Sequence, residues 1–227
     1  MPPLQWPHML AAEKVLISPP SPLVFGTLLL ILGASVAVFV ALVRRETKRR
    51  RAVALAQWAR SRGLRVAADP SNLPALAPLK QFNAKIHAAI GGKNLTLARI
   101  ETADAGPTTA AASPRNWNVL VRKLDAAWPT TALRPTAHTV SVVDLFSLSS
   151  YPSLMPTQRF MIFGSEARAA TALAESTVPA LLPADVALVL YGDHLILDFS
   201  GRPFDEIEFD RLIDLSEQLA PRLVLAG

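Results

Sequence analysis

Cysteine is absent from the 227 residues of this chain. The absence excludes a disulfide framework, a thiolate nucleophile and a thiolate metal ligand. Aromatic residues make up 7% of the sequence and charged residues 18%, whereas 51% is hydrophobic. Soluble domains are usually richer in charge. The balance therefore indicates that part of the chain lies outside water.

Acidic residues are too few to balance the basic ones, and the net charge is +5. Before Ala52 the chain holds seven Lys and Arg residues against two acidic ones, and from Ala52 onward it holds 16 of each. The excess thus lies outside the large C-terminal part, which has no net attraction for nucleic acid. Binding of DNA or RNA is not expected, although the sequence leaves open whether charges separate onto different faces of that part.

One long apolar segment, Leu23 to Val43, contains 21 residues and no charge. As a helix it would be about 31 Å long, which matches the hydrocarbon core of a bilayer. The proline-rich residues 18–22 precede it and favour a clean start. A cleaved signal peptide is the alternative, but its apolar run would be shorter and its positive charge would come first. The segment predicts a transmembrane helix.

Six cationic residues follow the apolar segment directly: Arg44, Arg45, Lys48, Arg49, Arg50 and Arg51. Positive charge marks the cytoplasmic side of a membrane span, and it also attracts anionic lipid. We therefore expect a single-pass protein of the bacterial cytoplasmic (inner) membrane, with its N-terminus outside. The predicted parts are an external tail (1–22), the span (23–43), a basic juxtamembrane helix (44–63) and a cytoplasmic domain (64–227).

Small residues repeat within the span at positions i, i+4 and i+8, namely Gly33, Ala37 and Ala41. Such a stripe lets two membrane helices approach closely. It is a candidate face for a homo-oligomer, although glycine and alanine are also common in membrane helices.

The helix after the span is predicted to end at Gly63. The sequence WARSRGL places a glycine where a left-handed residue stops a helix, and Leu64 can fold back onto the last turn. Trp58 lies on the apolar face of this helix, so we interpret it as a core residue rather than a ligand-binding one.

The middle of the chain has the pattern of an antiparallel sheet. Residues 69–82 are expected to be an irregular connector, 102–116 a mobile loop and 166–175 a helix. Short apolar alternations predict five strands, the first two joined at Gly91-Gly92: 84–90, 94–101, 117–124, 139–146 and 159–163. The fold class is therefore α+β, with one N-terminal transmembrane helix and an antiparallel-rich sheet packed by helices.

The segment VALVLYGDHLILDF predicts two further strands joined by a two-residue turn at Gly192-Asp193. In that register Tyr191 would pair with His194, and Asp198 would share their face. These three residues form a weak candidate surface, because four residues of strand separate His194 from Asp198 by about 13 Å, too far for proton transfer.

The last helix is predicted from its start signals. Asp205 is the expected N-cap, Glu208 would complete a capping box, and Phe204 would pack on Phe209. The apolar stripe behind them predicts that this helix covers the sheet.

The layout as a whole resembles a group of uncharacterised single-pass bacterial membrane proteins. The resemblance rests on the membrane helix, the helix end WARSRGL, the proline-containing connector and the segment LPADVALVLYGDHLILDFSGRPFDEIEFDRLIDLSEQL. It implies a bacterial membrane setting and no particular activity.

Catalytic and metal-binding patterns are not found. The histidines His8, His87, His138 and His194 show no ligand spacing, and no cofactor is expected. The leading hypothesis is a non-enzymatic, membrane-anchored interaction or scaffold domain whose partners are the lipid bilayer and a second protein. A ligand sensor or enzyme with a site assembled from residues distant in sequence is the alternative, so enzymatic activity stays open.

Overall fold

The architecture comes from a computed structural model, which describes residues 22–70, 73–102, 115–138, 140–148, 151, 153, 155–156 and 158–223. The predicted external tail and most of the predicted loop 102–116 lie outside these residues. The chain divides between Arg51 and Ala52 into two units, an N-terminal helical segment and a folded domain.

The first helix, α1, runs without interruption over Pro22–Ser61. It is long and apolar enough to cross a membrane, and none of its apolar window is buried within the protein. Its last turns belong to the folded domain, where Ala59 is buried in the core and Leu55 and Trp58 pack against it.

The end of α1 is the predicted glycine stop. Gly63 has φ of +68°, a left-handed conformation. The Gly63 N–H donates to the Arg60 carbonyl, and the Leu64 N–H donates to the Ala59 carbonyl. This pair of bonds satisfies two carbonyls that the helix end would otherwise leave open. Leu64 is buried in the core, as predicted.

A seven-stranded sheet with antiparallel pairing forms the centre of the domain. The strands are β1 (Arg65–Val66), β2 (Lys85–Gly91), β3 (Leu95–Thr102), β4 (Arg115–Pro135), β5 (Met155–Pro156), β6 (Phe160–Gly164) and β7 (Ala187–Asp198). Their order is β1-β2-β3-β4-β6-β5, and β7 pairs with β4. The predicted α+β class with an antiparallel sheet is confirmed. So is the hairpin at Gly91-Gly92, in which the Gly92 N–H donates to the Leu95 carbonyl.

The predicted C-terminal hairpin is wrong. Residues 187–198 form one strand that runs antiparallel to β4, from Val119 opposite Asp198 to Leu133 opposite Leu188. Gly192 has φ of +56° and lies opposite Trp128, where the register between the two strands shifts. The glycine therefore lies opposite a bulge, whose extra residues belong to β4, and not in a turn. Tyr191 and His194 are neighbours along one strand rather than a cross-strand pair.

Both faces of the sheet are covered. On one face the end of α1 packs together with α3 (Ala167–Glu175), α4 (Val178–Leu181) and α5 (Glu206–Leu219). The other face is covered by residues 73–82 and by the segment from Val142 to Leu148. The domain thus has three layers, which explains why β7 is apolar on both sides.

Two predicted segments differ in type from the structure. The strand expected over 139–146 is a 3-10 helix, Val142–Phe146. Its start carries a capping box, in which the Ser141 hydroxyl accepts from the Val143 N–H and Asp144 accepts from the Ser141 N–H. The connector predicted over 69–82 contains a 3-10 turn, Pro74–Leu76, and a short helix, α2 (Ala77–Lys80).

The start of α5 follows its sequence signals, with one exception. The Asp205 side chain accepts from the Glu208 N–H, and the rings of Phe204 and Phe209 lie 4.6 Å apart. The predicted return bond from Glu208 is replaced by an ion pair with Arg202. The cap and the apolar staple are confirmed, and the carboxylate of Glu208 serves a longer-range contact.

Candidate functional site

The apolar part of α1 presents uncovered side chains all round. Phe25, Leu30 and Phe39 are 57%, 75% and 67% exposed. The Ser35 hydroxyl inside this part is satisfied within the helix, since it donates to the Ile31 carbonyl at 2.8 Å. A helix that is apolar on every side and bonds its own hydroxyls suits a hydrocarbon environment.

Neither of the two candidate surfaces of α1 is covered by other described residues of the protein. The small-residue stripe Gly33, Ala37 and Ala41 is exposed, and a side chain built at Gly33 would meet no described atom within 4 Å. The cationic residues that follow are exposed as well: Arg44, Arg45, Lys48, Arg49, Arg50 and Arg51. Arg50 pairs with Glu46 at 2.9 Å one turn earlier. An exposed pair of this kind contributes little to stability.

The structure separates the residues of the weak candidate surface. Tyr191 packs on Phe146 with ring centroids 5.2 Å apart. His194 contacts the neighbouring Asp193 at 2.7 Å. Asp198 is only 4% exposed and belongs to the core. The three residues face the same layer but do not form one site.

Asp198 holds two segments of the chain together through hydrogen bonds, a role that the sequence did not predict. Its carboxylate accepts from the Val142 N–H at 2.8 Å, and from the Ser200 N–H and hydroxyl at 3.0 and 2.5 Å. Burial raises the pKa of this carboxyl above its ordinary value, and the hydrogen bonds from Ser200 and Val142 oppose the shift. Asp198 thereby joins the end of β7 to the start of the 3-10 helix.

The end of α1 is fastened to α5 by a contact between distant residues. The Trp58 indole N–H donates to the Asp210 carboxylate at 2.9 Å, and Arg62 pairs with the same carboxylate at 2.9 Å. The Trp58 ring also lies 5.3 Å from the ring of Phe209. The prediction that Trp58 is a packing residue agrees with this arrangement, but no local pattern identifies Asp210, 152 positions away, as its partner.

A second polar cluster fixes the other side of α5. Arg202 contacts Asp185 and Glu208, each at 2.5 Å. The guanidinium lowers the pKa of Asp185 below its ordinary value, first through the hydrogen bond and then through charge. Because Glu208 is buried, Arg202 supplies the charge that a buried carboxylate needs. The carboxylates of Asp185 and Glu208 are thus explained by their ion pairs with Arg202. Within the described ranges, no three His, Asp or Glu side chains are placed to hold a metal ion.

The domain has a groove at β1, the first strand in the sheet order, which we call the edge groove. Its volume is about 580 Å³. It is lined by residues of the α1 stop, of β1 and the segment after it, and of the turn after β2: Gly63, Arg65, Val66, Ala67, Ala68, Asp69, Leu73, Gly91, Gly92 and Lys93. The sequence could not have revealed it, because β1 is only two residues long and carries no strand pattern.

No protein-family model matches the sequence, and no curated protein matches it either. Among solved structures, the chain is similar to the mycobacterial trehalose monomycolate transport factor A, TtfA. The similarity has a TM-score of 0.52 at 10% sequence identity, and it covers 78% of this chain and 95% of TtfA. At that identity the two proteins share a fold, and the sequence similarity carries no shared activity.

Proposed function

We propose that this protein is a membrane-anchored accessory factor of a bacterial envelope complex, whose cytoplasmic domain binds a protein partner and has no catalytic activity of its own. The observation that carries the proposal is the uncovered apolar helix, which continues into a cationic segment (residues 44–51) and then a folded domain. In this proposal Leu23 to Val43 spans the inner membrane, and the N-terminus lies outside.

Two further observations support a binding role. The conspicuous polar clusters of the domain, around Asp198, Asp210 and Arg202, consist of side chains that bond one another or the backbone across packed elements. The fold is shared with a protein named as a transport factor. A domain held at a membrane transport assembly therefore fits both the anchor and the fold.

The proposal is tested by recovering the tagged full chain from a mild-detergent extract of its own cells after reversible cross-linking. We expect a membrane protein to be recovered in stoichiometric amount. The control is a tagged chain truncated after Ser61, which keeps α1 and lacks the sheet. Recovery of the full chain alone, or equal recovery of the same protein by the truncated control, would contradict the proposal.

A further inference from the structure

β1, whose two residues line the edge groove, has one side that is unpaired in the described sheet. β1 ends the strand order of the described sheet and pairs only with β2. Free strand edges are usually shielded, because their N–H and C=O groups can pair with another chain. On β7, by contrast, Ala187–Leu190 and Leu195–Leu197 are fully buried. Val66 of β1 remains 49% exposed.

The pairing pattern shows which backbone groups of β1 point outward. The Ala67 N–H donates to the Ala89 carbonyl. Hydrogen-bonded and non-hydrogen-bonded pairs alternate along an antiparallel ladder. The next pair, Val66 opposite Ile90, is therefore non-hydrogen-bonded. The N–H and C=O of Val66 consequently face away from β2, toward the free side.

Charge on the groove favours one kind of occupant. Arg65 and Lys93 line it and are exposed, whereas Asp69 is the single acidic residue of its lining. The domain has no net charge as a whole, so the lining of the edge groove carries a local excess of positive charge. Gly91 forms part of the lining without a side chain, and a Cβ there would lie 2.8 Å from the buried Thr96 hydroxyl.

We propose that the edge groove binds an extended, acidic segment of the protein partner, which adds to β1 as a further strand. The outward N–H and C=O of Val66 pair with the backbone of the segment. Arg65 and Lys93 contact its carboxylates, and the groove takes a side chain next to Leu73. The inference rests on the proposed partner-binding function, for which it names the surface and the chemistry.

The test uses the full chain in neutral detergent and a fluorescent ten-residue peptide of alternating valine and glutamate, with binding followed by anisotropy. A peptide of alternating valine and lysine is the control ligand. We expect the acidic peptide to bind, and the double variant R65Q/K93Q to weaken binding about tenfold. The matched variant K48Q/R49Q removes the same charge from α1 and should change binding less than twofold.

A second variant separates strand addition from simple charge attraction. Val66→Pro removes an N–H that points away from β2, so the β1–β2 ladder keeps its bonds. We expect the acidic peptide to lose at least tenfold in affinity. The same loss is expected when the wild-type protein meets a peptide N-methylated at alternate amides, a comparison that does not depend on the variant's folding.

Three results would each overturn the inference. They are equal binding of the acidic and the basic peptide, unchanged affinity of the acidic peptide for R65Q/K93Q, and full affinity of the N-methylated peptide for the wild-type protein. Displacement of the peptide by low millimolar inorganic phosphate, at constant ionic strength, would assign the groove to a phosphate instead. If the extract experiment recovers a partner while the acidic peptide fails to bind, partner binding stands and the edge groove is not its surface.

Discussion

Asp198 shows at the scale of a single residue how a buried carboxylate is retained for its hydrogen bonds. Three donors from two segments converge on it. We expect Asp198→Asn to lower the free energy of unfolding by about 1–3 kcal/mol, because an amide nitrogen would face one of these donors. Thermal unfolding of the full chain in detergent measures the change. A decrease in the free energy of unfolding of less than ~0.5 kcal/mol would contradict the assigned role.

The same residue predicts a dependence on pH. Burial raises the pKa of Asp198, so the folded chain holds this proton more tightly than the unfolded chain. The contribution of Asp198 to stability is therefore fully present below the unfolded value of about 4, and it decreases as pH rises through the raised folded pKa. Asp198→Asn lacks this contribution. The stability difference between wild type and variant should shrink from about pH 4 to neutrality, and a constant difference would refute the assignment.

Gly91 is required for close approach rather than for backbone freedom. A Cβ at this position would lie 2.8 Å from the Thr96 hydroxyl, which is fully buried. Gly91→Ala should therefore cost about 1–3 kcal/mol of unfolding free energy. Gly201→Ala is the matched control, because a Cβ there meets no described atom within 4 Å. The double variant G91A/T96A should recover part of the loss, and its failure to do so would place the strain elsewhere.

At the scale of elements, the last turns of α1 depend on Trp58. Trp58→Ala removes the contacts with Asp210 and Phe209. We expect the free energy of unfolding to fall by an amount at the low end of about 3–5 kcal/mol, since the side chain is only partly buried. Hydrogen exchange should show that the amides of residues 55–61 lose protection while the amides of the sheet keep theirs. Val53→Ala on an exposed position of the same helix should leave protection unchanged.

The small-residue face of α1 gives a test of self-association. Gly33→Ile adds bulk at a position with open space around it, so the helix of one chain can accept the change. If two copies pack through Gly33, Ala37 and Ala41, cross-linking of the full chain in membranes should fall several-fold. Ser35→Ile places the same bulk on the opposite side of the helix and should have no effect. Equal cross-linking of both variants with wild type would exclude this face.

Local signals predicted the elements that local contacts stabilise. The glycine stop at Gly63, the cap at Asp205 and the hairpin after β2 depend on neighbours within a few residues. β7 was misread because the glycine signal at Gly192 is shared by turns and bulges, and only the 21-residue β4 beside it decides between them. The segment from Val142 was misread because its start is fixed by Asp198, 56 positions away. The edge groove was invisible for the same reason, since it combines residues from three separate segments.

On the scale of the whole molecule, the excess positive charge is confined to one part of the chain. The excess of basic residues precedes Ala52, and the remainder of the chain is balanced. A cytoplasmic reporter fused to Gly227 should be active and a periplasmic reporter inactive. Replacing the six cationic residues between Arg44 and Arg51 by glutamine removes about 1 kcal/mol of lipid attraction per residue, so a fraction of the variant should invert. The opposite reporter pattern in the unaltered chain would overturn the proposed topology.

The pairing of β4 with β7 also fixes the order of events during synthesis. β4 also pairs with β3 and β6, and it gains β7, the last of its three partners, only when residues up to Asp198 have been made. In the proposed topology α1 is translated and inserted long before that point. In that topology the domain completes its fold while α1 already tethers it to the membrane. Until β7 and α5 have been made and have packed onto the sheet, its apolar strands stay exposed. The chain is therefore prone to aggregation at this stage of synthesis.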